Sequence, residues 1–477
     1  CAERYAWCTE GRGPIVNDAQ SQPPAEPQQS DVRLQPFGEG PRFSVLMCAF
    51  NRAELISVAI ESVLAQDFED YELVIVDDGS TDSTPAVVKG YSDSRIRYIR
   101  KDVNEGRPIT RNRAIAEARG EFILWMADDD LLMPGLLSTY DQILSTEPHV
   151  DVVYGNLQLF DHDTGEDLNV FEPNDWTGRD EDLVGAKLQG SCVPDGGTAT
   201  RRTLYTKVGP GPYDSEFARA QDYEFWSRLV GQASFRKVDA VVYRYRKHKG
   251  GNSWGRFIDL SFDSKIIRRH LARHPLERLF PKMNWEAAEA ASVLALFRVA
   301  QILEQYGDHH NGARIISSIP GYQHDCDMAE CMVRFQVGLG DLDFAEVVKG
   351  QFEAAMPAEH QAARRMGTLI ISAKNFRREV EAAGNNHDHL VALCEAWRKQ
   401  FEATHEVAVA EARGHRGRGD GLQALQNLVL AVRLNPVQQG PVDEAMALRQ
   451  EIDEMGPRTD AEAVQRRMLA SHNDFEK

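Results

Sequence analysis

The chain has 477 residues, 42% of them hydrophobic, and a formal net charge of −19 from 54 Lys+Arg against 73 Asp+Glu. That length allows two or three domains with real cores, and the acidic balance excludes a general nucleic-acid binder, because a phosphate backbone would be repelled. No apolar run approaches the roughly 20 residues that a membrane span needs. Residues 1–41 read as a flexible leader rich in Pro, Gln, Ser and Glu, without apolar periodicity and without the apolar segment of a secretory signal. The seven cysteines, at 1, 8, 48, 192, 326, 331 and 394, are odd in number and scattered. They make no disulfide framework and fit a reducing compartment.

From Phe43 onward short apolar runs alternate with helical spacing. "FSVLMCAF", "YELVIVDD", "RIRYIR", "EFILWMAD" and "VDVVYGNLQLF" read as strands. Between them "AELISVAIESVLAQ", "STPAVVKGYS", "PITRNRAIAEAR" and "GLLSTYDQILST" read as helices. Such alternation predicts βαβ units and an α/β domain with a mainly parallel sheet. Residues 161–200 are polar and irregular; "AQDYEFWSRLVGQ" is a helix and "DAVVYRYRKH" a strand ending in basic residues. Past about residue 256 strand texture stops. Stretches such as "AECMVRFQVGLGDLDFAEVVKGQFEAAM" and "GLQALQNLVLAVRLNP" place apolar residues three and four apart, which predicts an all-α region, stacked as repeats or bundled. The expected division is a leader over 1–41, an α/β domain over 42–255 and a helical domain over 256–477.

Ligands of open α/β sheets bind beyond the carboxyl ends of the strands, and both acidic clusters, "VDDGSTD" and "MADDDLL", fall there. Three adjacent carboxylates repel one another unless a cation sits among them. A hard divalent ion such as Mg²⁺ or Mn²⁺ takes one or two carboxylates together with phosphate oxygens. Read alone, the run is equally an acidic turn capping a helix that starts near Leu131. Between the clusters, "NEGRPITRNRAIAEARG" carries Arg107, Arg111 and Arg113 behind Gly106, at a helix N-terminus suited to an anion.

Taken jointly, "SVLMCAFNR", "QDFEDYELVIVDDGSTD", "NEGRPITRNRAIAEARGEFILWMADDDLLMPG" and "DSEFARAQDYEFWSRL" resemble the inverting family 2 nucleotide-sugar glycosyltransferases of the GT-A fold. The resemblance covers about residues 42–250. It implies a metal-dependent transfer from a nucleoside diphosphate sugar, most often UDP-linked, to a glycan or protein acceptor. By position, Ala49, Phe50 and Arg52 would lie near the nucleobase, and Asp78 would meet the base imide. Arg107 would meet the diphosphate, with Arg111 as competitor. Asp128 would face the ribose or sugar, Asp129 would bind Mn²⁺ or Mg²⁺, and Asp130 or His248 would supply further metal ligands. Asp222, preceded by Gln221 where many members have Glu, would be the catalytic base. The tail of the chain resembles tetratricopeptide-type helices, which adds self-association or acceptor binding as expectations. A cytoplasmic or membrane-peripheral location is expected. A sugar-phosphate nucleotidyltransferase and a non-catalytic helical scaffold remain as alternatives.

Overall fold

The computed structural model describes residues 40–178, 184–189, 193–208, 211–217, 219–247, 261–399, 404–434, and 441, 443–445 and 447–448. The expected leader up to residue 39, His248 and the end of the last apolar helix, Asn435-Pro436, lie outside the described residues. The chain divides into two compact units, residues 1–258 with 268–281, and residues 259–267 with 282–477.

In the first unit the order is β1 (Phe43–Ala49), α1 (Ile56–Leu64), β2 (Tyr71–Asp77), α2 (Thr84–Lys89), β3 (Ile96–Arg100), α3 (Arg107–Glu117) and β4 (Phe122–Ala127). Next come β5 (Leu131–Leu132), α4 (Leu136–Thr146), β6 (Val152–Asp161), β7 (Asp167–Phe171), β8 (Ala199–Arg201), α5 (Thr203–Lys207), α6 (Gln221–Leu229) and β9 (Phe235–Lys247). These strands form one sheet in the order β3-β2-β1-β4-β8-β6-β9-β5, with β7 on β6. The first four are parallel, as the strand–helix alternation predicts. The other half is mixed: β8 runs antiparallel to β4 and β6, and β5 antiparallel to β9, while β6 and β9 are parallel. β1 and β2 are apolar without alternation because both faces are covered, and Val45, Met47, Leu73 and Ile75 are fully buried.

Two expectations change. No helix starts near Leu131: Leu131–Leu132 pair with Arg244 and Tyr243 of β9, and α4 begins only at Leu136 behind Gly135, whose φ of 77° is left-handed. The segment 161–200, expected to be irregular, contains β7, an exposed hairpin strand. All five of its residues are exposed, Leu168, Val170 and Phe171 included, so it has no buried face to give an inward–outward alternation.

The second unit is helical, with the first half of α7 (Ser261–Arg273) and with α9 (Ala288–Gln305), α10 (His309–Ser318), α11 (Cys326–Leu339), α12 (Leu342–Ala355), α13 (His360–Ala383), α14 (His387–Arg398), α15 (His405–Gly417) and α16 (Gly421–Leu434) within it; the rest of α7, from Arg268, and the short α8 (Leu276–Leu279) belong to the first unit. Successive helices from α9 to α16 pack against one another. Their starts follow local chemistry: Asp308, Asp325, Asp341, Asn386 and Thr404 each accept a hydrogen bond from a backbone N–H of the first turn. Gly340, at φ 78°, ends α11 one residue before the Asp341 cap. Cys326 and Cys331 share α11 as free thiols. Among the described residues no helix is long and apolar enough to cross a membrane.

Candidate active site

The register of the parallel strands assembles the site. Ala49 stands opposite Asp77 and Cys48 opposite Ala127, so the residues following β1, β2 and β4 emerge together at one sheet edge. Asp77 is wholly buried and builds the turn, accepting from the Ser80 N–H at 2.8 Å and the Tyr98 hydroxyl at 2.5 Å. Asp78 faces the edge. Its Oδ1 accepts from Lys101 Nζ at 2.7 Å and the Glu105 N–H at 3.0 Å, and its Oδ2 from the Gly106 N–H at 3.1 Å. A carboxylate has about four lone-pair sites, so Asp78 retains one on Oδ2 for an imide N–H. Lys101, which carried no sequence signal, is the cation that holds it.

The β1–α1 loop is stitched to the β2–α2 loop. Asn51 N–H donates to Ser80 Oγ, Arg52 N–H to Thr84 Oγ1, and Ala53 N–H to Asp82 Oδ2. In return Asn51 Oδ1 accepts from the Thr81 N–H at 2.9 Å. Ala49 ends β1 with its side chain in the core, so only its backbone reaches the edge. Phe50 is half-buried and donates its N–H to Asp128 Oδ2 at 3.3 Å. Arg52, expected beside a nucleobase, lies against the acidic run, with Nε 3.5 Å from Asp128 Oδ1 and 3.5 Å from Asp129 Oδ2.

The three carboxylates of that run are unequal. Asp130 is buried and both its oxygens are engaged by β9: Oδ2 accepts from the Tyr243 hydroxyl at 2.9 Å and Oδ1 from the Arg246 N–H at 2.7 Å. It caps no helix and faces the sheet rather than the Arg52 side. Tyr243 also accepts from the Ala127 N–H at 3.0 Å, tying the run to β9. Asp128 and Asp129 are the pair that faces Arg52. Burial first, then the charge of Asp129, pushes the Asp128 carboxyl well above the carboxylate range, against the pull of Arg52. Among the described residues no group of three or more His, Cys, Asp and Glu side chains is gathered to hold a metal. Two hard-oxygen carboxylates side by side nevertheless suit a divalent ion whose remaining ligands are phosphate and water.

Arg107 and Arg111 lie one turn apart on α3. Arg107, at the helix start behind Gly106 (φ 92°), is exposed, and among the described residues its side chain has no hydrogen bond or ion pair. It is near enough to Asp128 and Asp195 to bias their ionisation. Arg111, expected as a competitor for the diphosphate, is engaged within the protein. Its guanidinium is buried between the rings of Trp125 and Tyr213, at 4.0 and 4.1 Å from their centroids, and is ion-paired with Asp195. Asp195 sits in the loop before β8, where a β-bridge from Gly196 to Trp125 leaves no room for a side chain: a Cβ there would come within 2.7 Å of the Tyr243 ring.

Asp222 lies in the first turn of α6, behind Ala220 in the left-handed conformation (φ 53°). Phe225 and Trp226, three and four residues on, are buried, and Phe225 stacks on Tyr205 at 4.8 Å and packs on Tyr213 at 5.2 Å. The face carrying Asp222 therefore turns towards the aromatic cluster around Arg111. Asp222 is half-buried, and among the described residues no hydrogen bond or ion pair ties its carboxylate down. Its acidic neighbour is Asp195 rather than residue 221. Burial, opposed by Arg111 and reinforced by Asp222, holds the Asp195 carboxyl above its ordinary range.

The glycosyl transferase family 2 model matches residues 44–207, which contain every one of these strand ends. The chain carries a family 2 glycosyltransferase domain. The chain is 23% identical over 244 residues to the Escherichia coli UDP-Glc:alpha-D-GlcNAc-diphosphoundecaprenol beta-1,3-glucosyltransferase WfgD, covering 51% of this chain and 91% of that relative. It is 39% identical over 105 residues to a Campylobacter jejuni GalNAc(5)-diNAcBac-PP-undecaprenol beta-1,3-glucosyltransferase, covering 21% of this chain and 34% of the relative. The structure of S. aureus TarS 1–349 in complex with UDP aligns with a TM-score of 0.42 at 18% identity, covering 67% of this chain and 91% of that one. Residues 44–207 are thus those of a glycosyltransferase domain.

Proposed function

We propose that this glycosyltransferase is metal-dependent and inverting, and moves a sugar from a UDP-sugar to a hydroxyl of a glycan or protein acceptor. The observation that carries the reading is the convergence at one sheet edge of Asp78, Asp128, Asp129 and the exposed Arg107, with Asp222 on α6 turned towards the cluster around Arg111 and Asp195. Asp78 has one acceptor site for a base imide. Arg107 is an exposed guanidinium for a phosphate oxygen. Asp128 and Asp129 would hold Mn²⁺ or Mg²⁺, which when bound neutralises charge on the departing diphosphate. Asp222 takes the proton from the acceptor hydroxyl as that oxygen bonds to the anomeric carbon. The carbon–phosphate-oxygen bond breaks on the opposite face, and the nucleoside diphosphate leaves with the electron pair. No enzymic nucleophile is needed, so an α-linked donor gives a β-linked product. The names of the E. coli and C. jejuni relatives, both beta-1,3-glucosyltransferases, support a sugar hydroxyl as acceptor.

The test is release of free UDP from a set of UDP-sugars, with Asp222→Asn as the control. Loss of about 10²–10⁴-fold in kcat with unchanged UDP affinity is the expected result. Unchanged turnover would remove Asp222 as base, and release of pyrophosphate in place of UDP would overturn the reaction itself.

A further inference from the structure

The side chain of Arg52 stands where the reading above needs a cation. Its backbone is fixed: the N–H donates to Thr84 Oγ1 at 2.8 Å, and the carbonyl accepts from Leu55 and Ile56 at 3.0 and 2.9 Å. Its guanidinium is held loosely. Nε is buried without a hydrogen-bond partner, its contacts to Asp128 and Asp129 are both 3.5 Å, and one terminal nitrogen donates to the Asn51 carbonyl at 3.4 Å. The side chain can therefore turn away while the stitched loop beneath it stays put. Asp130 gives no relief to the pair, because both its oxygens are taken by β9. A guanidinium and a divalent ion compete for one pair of carboxylates, since like charges a few ångströms apart repel even at an effective dielectric of about 20.

We infer that Arg52 is a resident counter-ion of Asp128 and Asp129, which has to swing off the pair before a divalent metal can enter. A diphosphate is the group chemically suited to receive it, because a guanidinium bonds phosphate oxygens through its planar fork. Metal entry is then coupled to nucleotide binding: metal alone competes with Arg52, whereas metal arriving with a diphosphate does not. The inference rests on the metal-dependent reading of the site.

Titration of Mn²⁺ by water-proton relaxation, with and without UDP, tests it on the full chain. Wild type should bind Mn²⁺ at least about tenfold more tightly with UDP than without. Arg52→Gln should gain affinity for Mn²⁺ alone by a similar factor and lose most of the UDP dependence. Arg52→Lys, which keeps the charge, should bind Mn²⁺ alone as poorly as wild type, and its melting curve reports whether the loop still folds. If Arg52→Gln and wild type bind Mn²⁺ alone equally, the counter-ion role is wrong while the metal site survives. If wild type binds UDP but no Mn²⁺ in its presence, the metal reading falls and takes this inference with it.

Discussion

Asp128, Asp129 and Asp130 are neighbours in sequence with different tasks, and Tyr243 is the residue that separates them. Its hydroxyl donates to Asp130 and accepts from the Ala127 N–H, so Tyr243→Phe leaves two buried polar groups unpaired. A loss of about 1–3 kcal/mol is expected, read as a lower midpoint in urea with an unchanged slope. An unchanged midpoint would mean that the loop is not held this way. Asp128 carries an opposite prediction. Its carboxyl is raised in the folded protein by burial and by Asp129, so the native state keeps a proton that the unfolded chain releases from about pH 4 upward. Wild-type stability is therefore eroded as pH rises from about 4 towards neutrality. Asp128→Asn should be more stable than wild type in metal-free buffer at pH 8, with the difference shrinking as pH falls to 4. A pH-independent difference would count against the burial argument.

At the scale of elements, α3 presents two arginines to the same edge with opposite fates. Arg107→Ala removes an exposed cation and should weaken UDP binding about tenfold, with thermal stability unaffected. Arg111→Lys loses a planar group buried between two rings and paired with Asp195, and should cost about 3 kcal/mol of stability. If Arg107→Ala melts early, or Arg111→Lys does not, the two roles are reversed. The sequence could not tell these arginines apart, because their difference is made by Trp125 and Tyr213, which come from elsewhere in the chain. The same holds for Asp130. Its partners are on β9, more than a hundred residues away, and β5 is a two-residue strand with no periodicity to read. By contrast β1, β2 and β4 were legible because burial on both faces leaves continuous apolar runs, and their polar ends, Asp78 and Asp128, followed directly. Lys101 and Asp195 went unassigned because single charged residues in loops carry no pattern until register and packing bring them to the edge.

The molecule as a whole comprises two units, each with its own buried apolar residues, and all the proposed donor-binding groups belong to the first. UDP with Mn²⁺ at about 100 times the dissociation constant adds about 2.7 kcal/mol to whatever binds it. For a unit of this size that amounts to a rise of roughly 5–10 °C. Calorimetry should show this rise in the transition of the first unit and little in that of the helical residues. Equal shifts would mean that the two unfold as one cooperative body.

The reciprocal bonds between the loops after β1 and β2 also set how long their amide protons survive. Asn51, Arg52, Ala53 and Thr81 stand on connecting segments, which ordinarily exchange within seconds, yet each amide is committed to a side chain of the opposite loop. In a deuterium-exchange experiment these four should persist with the strands rather than with the other loops. Cutting a single stitch, as in Thr84→Val, should release the Arg52 amide selectively and leave β1 protected, marking the rim of the site as a small unit that opens by itself.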